Sequence, residues 1–188
     1  MRYSKNMHSN TPAVRQNILA AARRVISRDG AEALTISSVA EEAGLSVGGL
    51  RYHFRSKHEL LAALVDAMVA SFDQALNSAG VEPGAKTRAY ISATLDVESS
   101  AQGSTASTGL LAAVALDSSL LEVLRKHFQR WQEMLDHDGI DPSITTVVRL
   151  AIDGWWLAAF LGLAAPDARR TSAAREVLES MLGGATDD

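Results

Sequence analysis

Apolar residues recur at three- and four-residue spacing along almost the whole chain, and no stretch alternates apolar with polar over several residues. A strand with one buried face needs a period of two, whereas an amphipathic helix needs 3.6. Asparagine–glycine hairpin signals are also absent. The chain is therefore expected to be all-α. At 188 residues it is long enough to bury a core without a disulfide or a structural metal. It contains no cysteine, which excludes a disulfide scaffold, a thiolate metal site and a cysteine nucleophile.

Helix boundaries are legible in the punctuation. Thr11-Pro12 opens a first helix whose apolar face is Val14, Ile18, Ala21, Ala22, Val25 and Ile26, and Asp29-Gly30 closes it. A short second helix runs from near Thr35 to Ala43, with Gly44 at the position that favours a left-handed residue. Ser46 caps a third, from Val47 to Phe54. Ser56-Lys57-His58-Glu59 is a capping box that starts a fourth, longer helix through Leu60, Leu61, Leu64, Met68 and Phe72. Residues 77–84 read as a turn, followed by a helix around Tyr90 and Leu95. Ser99 to Thr108 reads as a loop or frayed helix end and Gly109 to Leu116 as a short helix. Helices are then expected over Leu120 to Leu135, Ser143 to Gly162, and a last segment carrying Ala174, Val177, Leu178, Met181 and Leu182.

Charge is divided unevenly. The net charge is −4, yet residues 1–60 hold nine Lys/Arg against five Asp/Glu, while residues 61–188 hold nine against seventeen. A basic head on an acidic body suits a protein that meets a polyanion at one end only. The second and third helices flank Gly44-Leu45-Ser46, a tight turn of the helix-turn-helix kind. In such a pair the second helix enters the major groove with its N-terminal residues on base edges. Here it presents Val47, Gly48, Gly49, Arg51, Tyr52 and His53. The small residues allow close approach. Arg51 can pair with guanine in bidentate fashion, and Tyr52 and His53 can reach phosphates. Lys57 adds an ammonium group at the start of the next helix, where the helix dipole also favours a phosphate. Leu50 and Phe54 face the core.

The run L-T-x-x-x-V-A-x-x-A-G-L-S-V-G-G-L-R-Y-H-F-x-S-K-x-E-L-L, Leu34 to Leu61, resembles the DNA-binding head of the tetracycline-repressor (TetR) family. The preceding helix, with Ile18, Leu19, Ala21, Ala22 and Gly30, matches too, so the specific motifs cover about residues 12–65. The resemblance implies a three-helix head over 1–56 and a larger helical body over 57–188 for ligand sensing and dimerisation. It implies a transcriptional regulator, most simply a repressor that binds a palindromic operator in double-stranded DNA as a homodimer and is released by a small-molecule effector. It places Thr35, Tyr52, His53 and Lys57 at phosphate-contacting positions and Ser46, Val47, Gly48, Gly49 and Arg51 at base-reading ones. Two positions depart from the family pattern: Gly49 stands where Thr or Ser is common, and Arg51 where Tyr is common.

The body offers an aromatic set: Phe72, Tyr90, Phe128, Trp131, Trp155 and Trp156, with Phe160 beyond. Plain core packing accounts for aromatics at helical spacing. Concentration of all three tryptophans in two helices also fits a largely apolar effector pocket. Asp153 lies in an apolar helix and needs a partner if buried, and Arg149 one turn earlier can supply it. Ala151, Ala158, Ala159 and Gly162 form a small-residue face, and Ala174, Val177, Leu178 and Met181 an apolar face on the last helix. Together they fit a four-helix dimer interface.

Other classes fit less well. Gly44-Leu45-Ser46-Val47-Gly48 matches the nucleophile-elbow pattern, but that motif requires a preceding strand, and here a helix precedes it. The histidines lack the companions of a zinc set, so no metal, no cofactor and no enzymatic activity is expected. The N-terminal residues lack the apolar core of a signal peptide, and the run Trp155 to Ala165 is too short for a bilayer span, so a soluble cytoplasmic protein is expected. A helical small-molecule-binding or scaffold protein with weak or lost operator recognition is the alternative, suggested by the Gly48-Gly49 pair.

Overall fold

A computed structural model describes residues 11–98, 114, 117–161, 163–164 and 166–183. Among these the chain forms eight α-helices and no strand. They are α1 (Thr11–Asp29), α2 (Ile36–Glu42), α3 (Val47–His53), α4 (Lys57–Asn77), α5 (Ala85–Glu98), α6 (Ser118–Asp136), α7 (Pro142–Leu161) and α8 (Ala168–Gly183). The expected loop at Ser99 to Thr108 lies outside the described residues. So does the expected short helix at Gly109 to Leu116, apart from Val114, which is helical and buried.

The head is α1 to α3 packed on the start of α4. Ile18, Ala21, Ala22, Val25 and Ile26 of α1 are buried with Leu34, Val39, Ala40, Leu50 and Phe54. Thr35 caps α2: its hydroxyl accepts from the Ser38 amide at 3.0 Å, and Ser38 Oγ accepts from the Thr35 amide at 3.0 Å. This reciprocal box satisfies donors that the helix start leaves free. Gly44 then turns the chain at φ +69°, a conformation that costs an L side chain roughly 1–2 kcal/mol. Ser56 caps α4 by accepting from the Glu59 amide at 3.1 Å. Glu59 reaches back one residue further than the capping-box pattern predicts, to the Arg55 amide at 2.8 Å.

The body is built from α4 to α8. Helix α4 packs on α5 and α6, α5 on α6, α7 and α8, and α7 on α6 and α8. Its core contains Val65, Val69, Leu76, Tyr90, Ile91, Leu95, Leu120, Leu124, Trp131, Leu135, Val148, Ile152 and Leu182. A buried carboxylate ties the turn after α6 to the start of α5. Asp138 accepts from the Lys86 amide at 3.0 Å and from the Thr87 amide and hydroxyl at 2.7 Å each. The Gly84 amide donates to the Asp138 carbonyl at 2.8 Å. Gly139 beside it adopts φ +77° against Pro83, where a Cβ would lie 3.4 Å from Pro83 Cα.

Candidate DNA-reading face and responsive body

Helix α3 is seven residues long and carries two adjacent glycines, each worth roughly 1 kcal/mol less than alanine in a helix interior. It is anchored rather than self-supporting. Leu50 and Phe54 are buried in the head core, and Ser46 Oγ accepts from the Gly49 amide at 3.0 Å. That orientation turns the remaining side chains outward. Val47, Gly48 and Arg51 are exposed, Gly49 is half-buried, and Tyr52 is 83% exposed. The half-buried His53 meets Tyr52 edge-on, with ring centroids 5.2 Å apart. Ser46 itself is exposed and engaged as a cap, and Thr35 is exposed at the start of α2. Lys57 is exposed at the first position of α4. The structure therefore presents the candidate DNA-binding residues on α3 and at the starts of α2 and α4.

One contact here left no sequence signal. His58 Nδ1 lies 2.7 Å from Asp117 Oδ2, joining the first turn of α4 to the cap of α6. Asp117 also accepts from the Ser119 hydroxyl at 2.7 Å and from the Ser119 and Leu120 amides. The Ser119 hydrogen bond, then that of His58, hold its carboxyl down at about 2.

In the body, Phe72, Tyr90, Phe128 and Trp131 form one aromatic cluster, with Trp131 5.0 Å from Phe72 and 5.1 Å from Phe128 between ring centroids. Trp131 Nε1 donates to Asp73 at 2.7 Å, and Arg130 pairs with the same carboxylate. Partial burial pushes the Asp73 carboxyl up, but these two hydrogen bonds and the nearby positive charge outweigh it and leave it below the ordinary value. Asp153 accepts from the Tyr90 hydroxyl at 2.6 Å and from Arg149 Nη1 at 2.8 Å, the partner that the i, i+4 spacing predicts. Burial pushes its carboxyl up, against the Tyr90 bond and the Arg149 charge. Trp155 and Trp156 are half-buried on α7, and Trp155 Nε1 is buried with no hydrogen-bond partner among the described residues. Within the cluster Tyr90 and Trp131 are almost wholly enclosed, while Phe72 and Phe128 are half-buried. An open pocket of about 550 Å³ lies beside it between α6 and α7, lined by Phe128, Gln129, Gln132, Glu133 and Arg149.

Comparison with known proteins gives this arrangement a context. Residues 84–183 match the family described as "Tetracyclin repressor-like, C-terminal domain", and residues 18–64 match "Bacterial regulatory proteins, tetR family". The chain belongs to the TetR family. The HTH-type transcriptional regulator TtgR of Pseudomonas putida is 36% identical over 59 residues, which span 31% of this chain and 28% of TtgR. A transcriptional regulator from Rhodococcus sp. Rha1 superposes with a TM-score of 0.75 at 23% identity, covering 91% of this chain and 97% of the other. The multidrug binding protein EbrR, solved with malachite green, superposes with a TM-score of 0.66 at 23% identity, over 89% and 97% of the two chains.

This TetR-family chain thus carries the helix-turn-helix of the family described as bacterial regulatory proteins. Ser46, the serine of the apparent nucleophile elbow, is preceded by helix and capping residues rather than a strand. Among the described residues no helix is long and apolar enough to cross a membrane.

The expected dimer face is only partly described, since Gly162 and the side chain of Ala159 lie outside the described residues. Ala151, Ala174 and Val177 are exposed, while Ala158, Leu178 and Met181 are half-buried. The structure adds what small-residue reasoning missed. Val147, Leu150, Gly154 and Leu157 are exposed on α7 and recur at helical spacing with Ala151. The signal was available, because that helix is apolar on more than one side.

Proposed function

We propose that this regulator is a repressor that binds a palindromic operator as a homodimer and leaves it when a small molecule binds the body. The observation that carries the reading is the exposed apolar stripe of α7, Val147, Leu150 and Leu157, with Val177 also exposed on α8. A monomer rarely leaves such a contiguous face in water, and two copies joined through it cover it with two-fold symmetry. Two heads on a two-fold axis reach successive major grooves when they sit about 34–36 Å apart, and their site is then palindromic.

In this reading α3 supplies base contacts through Val47, Gly48, Gly49 and Arg51, with Ser46 at its cap, while Thr35, Tyr52, His53 and Lys57 hold phosphates. The functional division falls at 56/57, with residues 1–56 reading DNA in the cytoplasm and 57–188 sensing and dimerising. The effector is largely apolar and engages the aromatic cluster around Trp131 and Phe128, with Asp153 as a polar contact and Trp155 and Trp156 at its margin. The ligand-bound state of EbrR supports a small-molecule role. Because Tyr90 and Trp131 are enclosed, an effector that reaches them acts by favouring a different arrangement of the body. Its leverage is its difference in affinity between the two.

Selection from a randomised duplex library at moderate salt tests the proposal. Enrichment of a palindrome by a dimeric protein supports it. A folded protein that enriches no sequence, with or without candidate effectors, refutes the operator-reading role and favours a ligand-binding or scaffold role.

A further inference from the structure

The reading helix cannot hold its own position. Helices shorter than about 12 residues are marginal in water, and α3 has seven, two of them glycine. Its start is fixed by the Ser46 cap and its middle by the buried Leu50. Its end needs separate support, because Phe54 already leaves the helix in extended geometry, at φ −141° and ψ 111°.

That support comes from α1. Arg15 Nη1 donates to the His53 carbonyl at 3.3 Å. The same guanidinium lies 4.1 Å from the centroid of the Phe54 ring. One side chain therefore grips the last residue of α3 and the residue that anchors it in the core. The two contacts differ in kind: a charge-assisted hydrogen bond to a helix-end carbonyl, and a cation over an aromatic face. Arg24 and Arg28 of the same helix spend their charge on Glu42, whereas among the described residues Arg15 makes no ion pair. Helix α1 treats the end of α2 similarly, since Asn17 Nδ2 donates to the Ala43 carbonyl at 3.2 Å.

We infer that Arg15 is a positioning residue for DNA recognition, setting the pose of the last turn of α3 and with it Tyr52 and His53. This rests on the reading of α3 as the recognition helix. Lysine is a poor substitute, because it has neither the planar face that covers Phe54 nor the fork that reaches past it.

The test compares Arg15→Ala and Arg15→Lys in the full-length protein. Arg15 is exposed, and thermal melts establish that both variants are folded at the assay temperature. In the free protein, amide exchange across residues 47–54 accelerates in Arg15→Ala and, to a lesser degree, in Arg15→Lys. On DNA, both variants lose operator affinity, about five- to tenfold for Arg15→Ala. Random-duplex affinity falls as well, because Tyr52 and His53 are placed on phosphates, but its salt dependence stays at the wild-type level because no cation leaves the DNA face. Unchanged exchange together with a random-duplex salt slope lowered by about 0.9 in Arg15→Ala and restored in Arg15→Lys would make Arg15 a phosphate contact and overturn the inference. Wild-type exchange and wild-type operator affinity in both variants would overturn it as well. If the wild-type protein selects no operator, the operator proposal fails, and the exchange arm still decides whether Arg15 holds α3.

Discussion

The Tyr90 hydroxyl donates to Asp153 at 2.6 Å and joins α5 to α7 inside the body. Tyr90 is buried, and the carboxylate it serves also accepts from Arg149. Tyr90→Phe removes a hydrogen bond to a charged group and is expected to destabilise the protein by about 1.5–3 kcal/mol at neutral pH. The sign of its pH dependence follows from Asp153, whose folded value is raised by burial and held back by this bond. Without the hydroxyl that value rises further. The mutant therefore gains proton-linked stability at a higher pH than the wild type. The gap between them is widest where Asp153 is ionised in both and narrows as pH falls through its raised value. Denaturant melts of the two proteins across the acid range measure this directly, and a gap that widens toward low pH contradicts it.

Lys57 and Arg51 are expected to fail in different ways. Lys57→Ala should weaken binding to every duplex alike and reduce the salt slope by about 0.9, one phosphate's worth. Arg51→Ala should relax preference at one base position per half-site, worth about 1–3 kcal/mol, with less change in random-duplex binding. Salt-titrated binding to operator and random duplex separates the two patterns.

Gly48 is exposed at the start of α3, and a Cβ there would meet nothing nearer than Ser46 Oγ at 3.9 Å. Gly48→Ala should therefore raise the melting temperature through a helix-propensity gain of up to about 1 kcal/mol. The same methyl group occupies the face proposed to approach DNA, so operator affinity should fall. Gly49→Ala is a harsher change, because its Cβ would lie 3.2 Å from the hydroxyl that caps the helix.

Leu150 is 56% exposed on α7 and contributes little to the core of a single chain. Leu150→Glu places a charge in the proposed four-helix contact. Sedimentation should show a monomer with unchanged helix content, and operator binding should become weaker and steeper in protein concentration. A variant that remains dimeric would move the interface elsewhere.

The head was legible almost to the residue because each boundary carries local chemistry: Thr35, Ser46 and Ser56 at helix starts and Gly44 at the turn. The body was legible as helices but not as a site. Periodicity assigns Phe72, Tyr90 and Trp131 to inward faces, but it cannot tell an enclosed cluster from a pocket lining, which depends on how closely neighbouring helices approach. The ties between distant segments were silent for the same reason. His58 with Asp117, Asp73 with Trp131 and Arg15 with His53 join residues 38 or more positions apart. The Arg149–Asp153 pair could be anticipated because both members share one helix.

Asp138 fastens the first turn of α5 to the end of α6 through three hydrogen bonds, in a site too buried for water to replace them. Helix α5 is then a rod clamped at Lys86 and Thr87 and carrying Tyr90 about one turn further on. Its far end at Glu98 lies about 17 Å from the clamp at 1.5 Å per residue. A guest that displaces α5 at Tyr90 swings the rod about that fixed point, and each degree of swing moves the Glu98 end by roughly a third of an ångström. Displacement thus grows along α5 away from Asp138, so a spectroscopic label near the C-terminal end of α5 should register effector entry far more strongly than one beside Lys86.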